Sequence, residues 1–393
     1  MHRPYNLRAR LQTIHLETGY PMSSIQTWAE HATESPRRDL SHPSSAAGQR
    51  ADRPAAGAVT TMLGVLIDDR ELEARFDACA WEFDALSQQL DEALDAAFTR
   101  GEHAARADVH AVLFALYELH VAPAASERCA NQFNPYLIRL RNAIERRWFA
   151  SELQRTAPLD AAARSPEGLV EAIRAVSAGH RASHHPLFDF LERDATRAQL
   201  AAFFRSDSAL NVRFFDLIVL ALLGSDPSVR GELAQNFWDE AGKGDTRRSH
   251  VTLFRNLLLT AGIEHAADDH ASSLEWQGLA GYNVFMMTGL NRSHGFRSLG
   301  VMAVTELLDP PQYEKLTRGC RRIGLGADGE LDYYDEHVSI DVVHAEGWLA
   351  NVIVPLARSF PAKMDDIFMG AQWRLNTCAD YYDRLHAKLL KMV

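Results

Sequence analysis

The sequence predicts an all-α protein. Beyond Asp68, apolar residues recur at spacings of three and four, alternating strand patterns are nearly absent, and the breaks carry the residues that start and stop helices. The stretch ELEARFDACAWEFDALSQQLDEAL, from Glu71, sets the pattern. It recurs over 107–120, 134–153, 187–204, 208–223, 247–261, 276–289, 312–322, 333–356 and 362–392. SDPS (225–228) and DPPQ (309–312) each read as a helix start with Pro just inside the boundary. No repeat of solenoid period interrupts this order.

Three segments follow from composition. Residues 1–62 are rich in Arg, Ser, Ala and Pro and lack sustained periodicity, so they read as a disordered tail, a regulatory extension or an over-long start upstream of Met62. Residues 63–183 read as a helical accessory unit, closed by the turn-rich SAGHRASHHP (177–186). Residues 184–393 have the size of one helical bundle.

The charge balance narrows the function classes. Forty-one basic residues stand against 52 acidic ones, for a net charge of −11. The tail holds seven of the basic and five of the acidic residues, so the remainder is more acidic still. A phosphate-binding surface needs the opposite surplus, which argues against nucleic acid as a partner. The longest apolar run, Phe214 to Gly224, is about half of the ~20 residues that span a bilayer and contains Asp216. No membrane segment is expected. Cys79, Cys129, Cys320 and Cys378 form no CxxC pair and suit core positions in a reducing cytoplasm. P-loop, serine-hydrolase and zincin motifs are absent, and GLGADG (324–329), which has the G-x-G-x-x-G spacing, follows a helical stretch and not a strand.

The 17 histidines are the compositional feature that asks for chemistry. In YYDEHVSIDVVHAEGWLANVIVPL (333–356), His337, Asp341 and His344 fall at i, i+4 and i+7, within about 60° of one helix face. Val338, Val342, Trp348, Val352 and Leu356 supply an apolar arc that begins beside this polar stripe. The stripe is therefore either a solvated edge, a His–Asp pair in the core, or three ligands of a metal.

Glu240 and His250, in NFWDEAGKGDTRRSH (236–250), would lie ~15 Å apart on one straight helix. Two glycines and Asp245 between them let the backbone unwind and turn both inward. Glu306 is the only charge in GVMAVTELL before an Asp-Pro break, a helix-end residue or a ligand. Asp207 precedes a strongly apolar helix as an N-cap or a ligand, with Asn211 four residues on and on the same face. Together these are four carboxylates and three imidazoles. Facing helices of a bundle that supply such a set have the ligand chemistry of non-haem di-iron or di-manganese centres.

The ordered pattern of Glu240, nine residues, His250, the isolated Glu306 and His337-x3-Asp341-x2-His344 resembles the haem-oxygenase-like di-iron oxidases and oxygenases, the iron-containing redox enzymes. FFDLIVLALLG, ELAQNFWDEAGKGD, LNRSHGFRSLGVMAVTELL and WRLNTCADYYD extend the likeness over roughly 184–393. The departure is Asp207, where the family usually has Glu; its arm is shorter by one methylene.

The resemblance implies a haem-oxygenase-like bundle in which Asp207, Glu240, His250, Glu306, His337, Asp341 and His344 hold two non-haem Fe(II) ions. Glu240, Glu306 and Asp341 would carry the catalytic role. It further implies O2 as co-substrate, a peroxo di-iron(III) intermediate, an external electron donor such as a reductase, and a place in natural product biosynthesis. The substrate would be a small amine or acid. Longer members with an extra N-terminal helical unit resemble the N-oxygenating branch, so N-oxygenation of an amine or amino acid leads. Oxidative decarboxylation or C–C fragmentation of an amino or fatty acid is the alternative. A non-catalytic helical protein that binds haem or metal, or pairs through its accessory unit as a homodimer, is the reading from another class.

Arg297 and Arg374 are candidates for a substrate carboxylate or for surface ion pairs, and Trp238, Tyr282, Phe285 and Met286 for pocket walls or core. EHAADDH (264–270) reads as a charged loop, and His184-His185 as a junction without a spaced carboxylate partner.

Overall fold

The computed structural model describes residues 63–392 except 65, 264–270, 272 and 328. The proposed tail over 1–62 and the EHAADDH loop lie outside the described residues. Within them the secondary structure is helical and no strand occurs, as the periodicity predicts.

The N-terminal part contains α1 (Leu72–Ala78), α2 (Ala80–Leu94), α3 (His103–Val121), α4 (Pro135–Leu153) and α5 (Pro166–Gly179). Local chemistry sets their starts. Asn134 accepts from the backbone of Tyr136 and Leu137 with Pro135 at the first helical position, and Ser165 accepts from Gly168 ahead of Pro166. The remaining helices are α6 (Pro186–Arg193), α7 (Arg197–Asn211), α8 (Phe214–Leu222), α9 (Arg230–Glu240), α10 (His250–Thr260), α11 (Trp276–Leu290), α12 (Gly295–Arg322), α13 (Asp332–Gly347), α14 (Val354–Ser359) and α15 (Met364–Leu389).

The long helices α12 and α15 form the centre, with α13 and α6 against α12, and α11 against both α15 and α3. Small residues bring the two central helices together. A Cβ on Gly300 would lie 2.0 Å from the Ile367 carbonyl oxygen, and one on Gly370 would lie 2.0 Å from that of Arg297. Backbone therefore meets backbone at this crossing, which fixes Glu306 on α12 relative to Arg374 on α15.

Three local expectations are corrected. DPPQ does not start a helix: α12 runs through Pro310 and Pro311 without a break. A proline costs an interior helix its i−4 bond, and packing of α12 on its neighbours outweighs that loss. Asp207 does not open an apolar helix either. It lies in the last turn of α7, which Thr196 and Gln199 open with a reciprocal capping box, and the chain breaks after Asn211. Finally, Val342 is exposed, although Trp348, Val352 and Leu356 are buried as expected. The buried face of α13 is the His337–Asp341–His344 stripe itself.

The helical stretch Asp332–Ser359 is long and apolar enough to cross a membrane, with a mean hydropathy of 1.2, but 56% of that window is buried within the fold. Its apolarity is that of a core helix. A π-helical segment, Trp348–Ile353, interrupts it just before Pro355 and one turn beyond His344. Cys320 and Cys378 are core residues as expected, whereas Cys79 and Cys129 are only half-buried.

Candidate metal centre

Six of the seven candidate ligands converge into two buried triplets. Glu240, His250 and His337 present ligand atoms within 4.8 Å of one another, and so do Glu306, Asp341 and His344. All six side chains are at most 5% exposed.

The first triplet depends on the break between α9 and α10. Glu240 is the last residue of α9 and His250 the first of α10, where Ser249 caps the helix by accepting from Thr252. Between them Gly242, Lys243 and Gly244 all take positive φ, at 67°, 54° and 89°. Gly242 also lies where a Cβ would come within 2.5 Å of the Arg248 backbone, so only glycine fits. The unwinding foreseen from the two glycines brings Glu240 Oε2 to 2.9 Å from His250 Nδ1. Yet His250 Nδ1 makes no hydrogen bond. Two donors that share an ion at bond lengths of ~2.1 Å sit about 3 Å apart without bonding to each other, and this pair has that separation.

His337 completes the triplet from α13, its ring 4.4 Å from that of His250. Its Nδ1 lies 2.6 Å from the Tyr333 carbonyl oxygen, which selects the tautomer with Nδ1–H donating and leaves Nε2 free to ligate. Burial, then the neighbouring His250, push the His337 pKa down to about 3. Burial pushes the Glu240 carboxyl up, but His250, with His337 and His344 adding, carries it below its ordinary value. Both groups are thus in the form a metal requires. Two imidazoles and one carboxylate match the donor set of non-haem Fe(II) sites.

The second triplet joins Glu306 of α12 to Asp341 and His344 of α13. His344 Nδ1 lies 3.6 Å from Glu306 Oε2 and 3.8 Å from Asp341 Oδ1. Glu306 Oε1, Asp341 Oδ2 and His344 Nδ1 are all buried without a hydrogen-bond partner. Three orphaned polar atoms in one cluster are costly in a protein interior unless something else binds them, and a cation fits all three. Burial alone would lower the His344 pKa, but Glu306 and Asp239 raise it to about 9. Burial, followed by the charges of Glu306, Asp309 and Glu240, holds the Asp341 carboxyl well above the usual range.

Two orienting carboxylates escaped the sequence reading. Asp239 Oδ2 sits 3.3 Å from His344 Nε2, so that Nε2–H donates to it and Nδ1 faces the triplet. Glu336 Oε2 lies 3.6 Å from His250 Nε2 and pairs with Arg248. Each is the direct sequence neighbour of a candidate ligand and so reads as ordinary helix-surface charge; only the fold shows the inward contact. Asp239→Asn is expected to weaken iron binding at the second triplet by about 10–100-fold and leave the first unchanged, as read by anaerobic Fe(II) titration.

Asp207 belongs to neither triplet. Its Oδ2 accepts from Tyr334 Oη at 3.0 Å and from Asn211 Nδ2 at 2.8 Å, so Asn211 is the neighbour its spacing foretold. Burial raises its pKa to about 6, against the lowering effect of these two bonds and of Arg374. Asp207 lines a cavity with Asp309, Tyr282, Tyr313, Tyr382 and Arg374. Arg297 is paired with Asp366, whereas Arg374 is buried. Trp238 is about half exposed, and Phe285 and Met286 are core. His185, expected to lack a carboxylate partner, has Asp383 Oδ1 at 3.0 Å, from 198 residues away.

Two solved structures of a CADD-like protein of unknown function from Nostoc punctiforme are similar to the chain: one at 15% identity, covering 56% of this chain and 96% of that one, and the other at 17%, covering 57% and 95%, each with a TM-score of 0.43. No curated protein matches. Residues 201–378 match the iron-containing redox enzymes, and this span includes all seven candidate ligands. The match to the iron-containing redox enzyme family thus covers the part of the chain that builds the two triplets.

Proposed function

We propose that the protein is a non-haem di-iron oxygenase that oxidises a small metabolite with O2, with N-oxygenation of an amine or amino acid as its reaction. The observation that carries this reading is the pair of adjacent buried triplets with their orphaned donor atoms. Glu240, His250 and His337 would hold one Fe(II), and Glu306, Asp341 and His344 the other. Asp207, which spends one oxygen on Tyr334 and Asn211, is the seventh ligand of the proposal through the other. A haem needs one axial imidazole and no such cluster of acids, so the donor set favours two ions.

The irons would supply the electrons that reduce O2. The protein's own part is to keep the imidazoles neutral, the carboxylates available and the surroundings dry. Inserting one oxygen atom into an N–H bond sends the other to water and takes two electrons from outside, so the reading includes an external donor, in the cytoplasm.

The test is anaerobic loading with Fe(II), a pulse of O2, and mass spectrometry of reactions with amines and amino acids. Gain of one oxygen atom with iron-dependent O2 uptake supports the reading. Loss of CO2 from the substrate without oxygen gain assigns oxidative decarboxylation instead. Iron binding without O2 uptake in any mixture rejects an oxygenase.

A further inference from the structure

The side chain of Arg374 is unlike the other arginines of the bundle. It is only 7% exposed, deep on α15, and it lines the cavity that also holds Asp207 and Asp309. A guanidinium carries five N–H donors and stays charged. Here Nε donates to Thr305 Oγ1 at 2.9 Å, and the group lies 4.8 Å from the centroid of the Phe285 ring. Arg213, Arg297 and Arg321 by comparison each engage a carboxylate: Glu118, Asp366 and Asp335. Arg374 senses the charges of Asp207 and Asp309 without an ion pair to either among the described residues.

The remaining donors line a cavity of about 50 Å³. Gly281 on α11 is the neighbour of Nη1, and even a Cβ there would stay 4.0 Å away. Thr305, which fixes Nε, directly precedes the candidate ligand Glu306 on α12. Phe285 and Thr305 hold the planar group so that its forked edge is left for a planar anion, the geometry that binds carboxylates with two parallel hydrogen bonds.

We propose that Arg374 anchors the carboxylate of the substrate, which makes the substrate an amino acid and not a simple amine. This rests on the oxygenase reading for the reaction, but the recognition step itself does not require turnover. Arg374 is a binding residue in this scheme and touches no metal.

The experiment compares matched acids and amines on anaerobically iron-loaded protein by calorimetry: L-phenylalanine with phenethylamine, L-leucine with isopentylamine, and L-arginine with agmatine. Wild type should bind at least one acid about 100-fold more tightly than its amine. R374Q should lose that preference, retain the wild-type iron content and leave the affinity for the amine unchanged, while R374K restores part of it. G281V, which keeps the guanidinium but fills the space beside Nη1, should also weaken the acid and serves if R374Q does not fold. Wild-type binding of no acid, equal binding of acid and amine, or an R374Q and G281V preference equal to wild type each overturns the proposal. Acid binding that depends on Arg374 with no iron-dependent O2 uptake would retain the anchor and reject the oxygenase.

Discussion

Replacing His337 by alanine is expected to leave one of the two irons per chain that the proposal assigns, and to lower product formation by at least 10³-fold, about 4 kcal/mol of barrier at ~1.4 kcal/mol per tenfold. His337 belongs to the triplet of Glu240 and His250 and not to the other. Glu306→Gln, which keeps side-chain volume but removes the charge, should give the same stoichiometry by emptying the opposite triplet. Anaerobic Fe(II) titration with metal analysis after gel filtration reads both outcomes, and circular dichroism confirms the fold. The pair of variants is more informative than either alone. If all six residues served a single ion, each variant would lose all bound iron. If the irons were independent and only one reacted, one variant would keep its activity. The expected pattern is one iron lost in each and activity lost in both.

The triplets were legible in the sequence because their chemistry is written in local spacing. His337, Asp341 and His344 share a face by helix geometry alone, and Gly242 and Gly244 announce the break that turns Glu240 and His250 inward. What the spacing could not show was the division of labour. One helix face feeds both triplets, His337 going to one and Asp341 and His344 to the other. Asp239 and Glu336 were hidden for the opposite reason. Each acts across helices on an imidazole about a hundred residues away, a relation that no local period encodes. Asp309 was hidden by context. An Asp-Pro-Pro run looks like a helix boundary, until packing of α12 on α15 places Asp309 on one cavity with Arg374. Propensity lost to tertiary contact at Pro310 and Pro311, where local rules predicted a stop and the central helix continued.

The two triplets are expected to load with iron at different pH. In the metal-free protein His344, raised to about 9 by Glu306 and Asp239 against its burial, keeps its proton through neutrality. Asp341 is also held protonated, by burial and by the charges of Glu306, Asp309 and Glu240. An ion at this triplet must displace both protons, and each displaced proton makes apparent affinity about tenfold stronger per pH unit. Glu240 and His337 give up none near neutrality, since one lies below its ordinary value and the other sits at about 3. Anaerobic titration should therefore find iron uptake at the triplet of Glu306, Asp341 and His344 rising steeply between pH 6 and pH 8.5, and Glu306→Gln should abolish that rise. The same groups set the opposite trend for the metal-free fold. His344 has a folded pKa above its unfolded value of ~6.5, so its stabilisation is complete below that value and is lost as pH rises through about 9. Asp341 works in the same direction, because ionising a buried acid beside Glu306 opposes folding. Thermal denaturation should then show the metal-free protein losing stability from pH 6.5 to 9, while the gap between metal-free and iron-loaded protein widens. A gap that narrows over that range would mean that iron does not displace the protons of His344 and Asp341, and so does not bind where those two side chains meet Glu306.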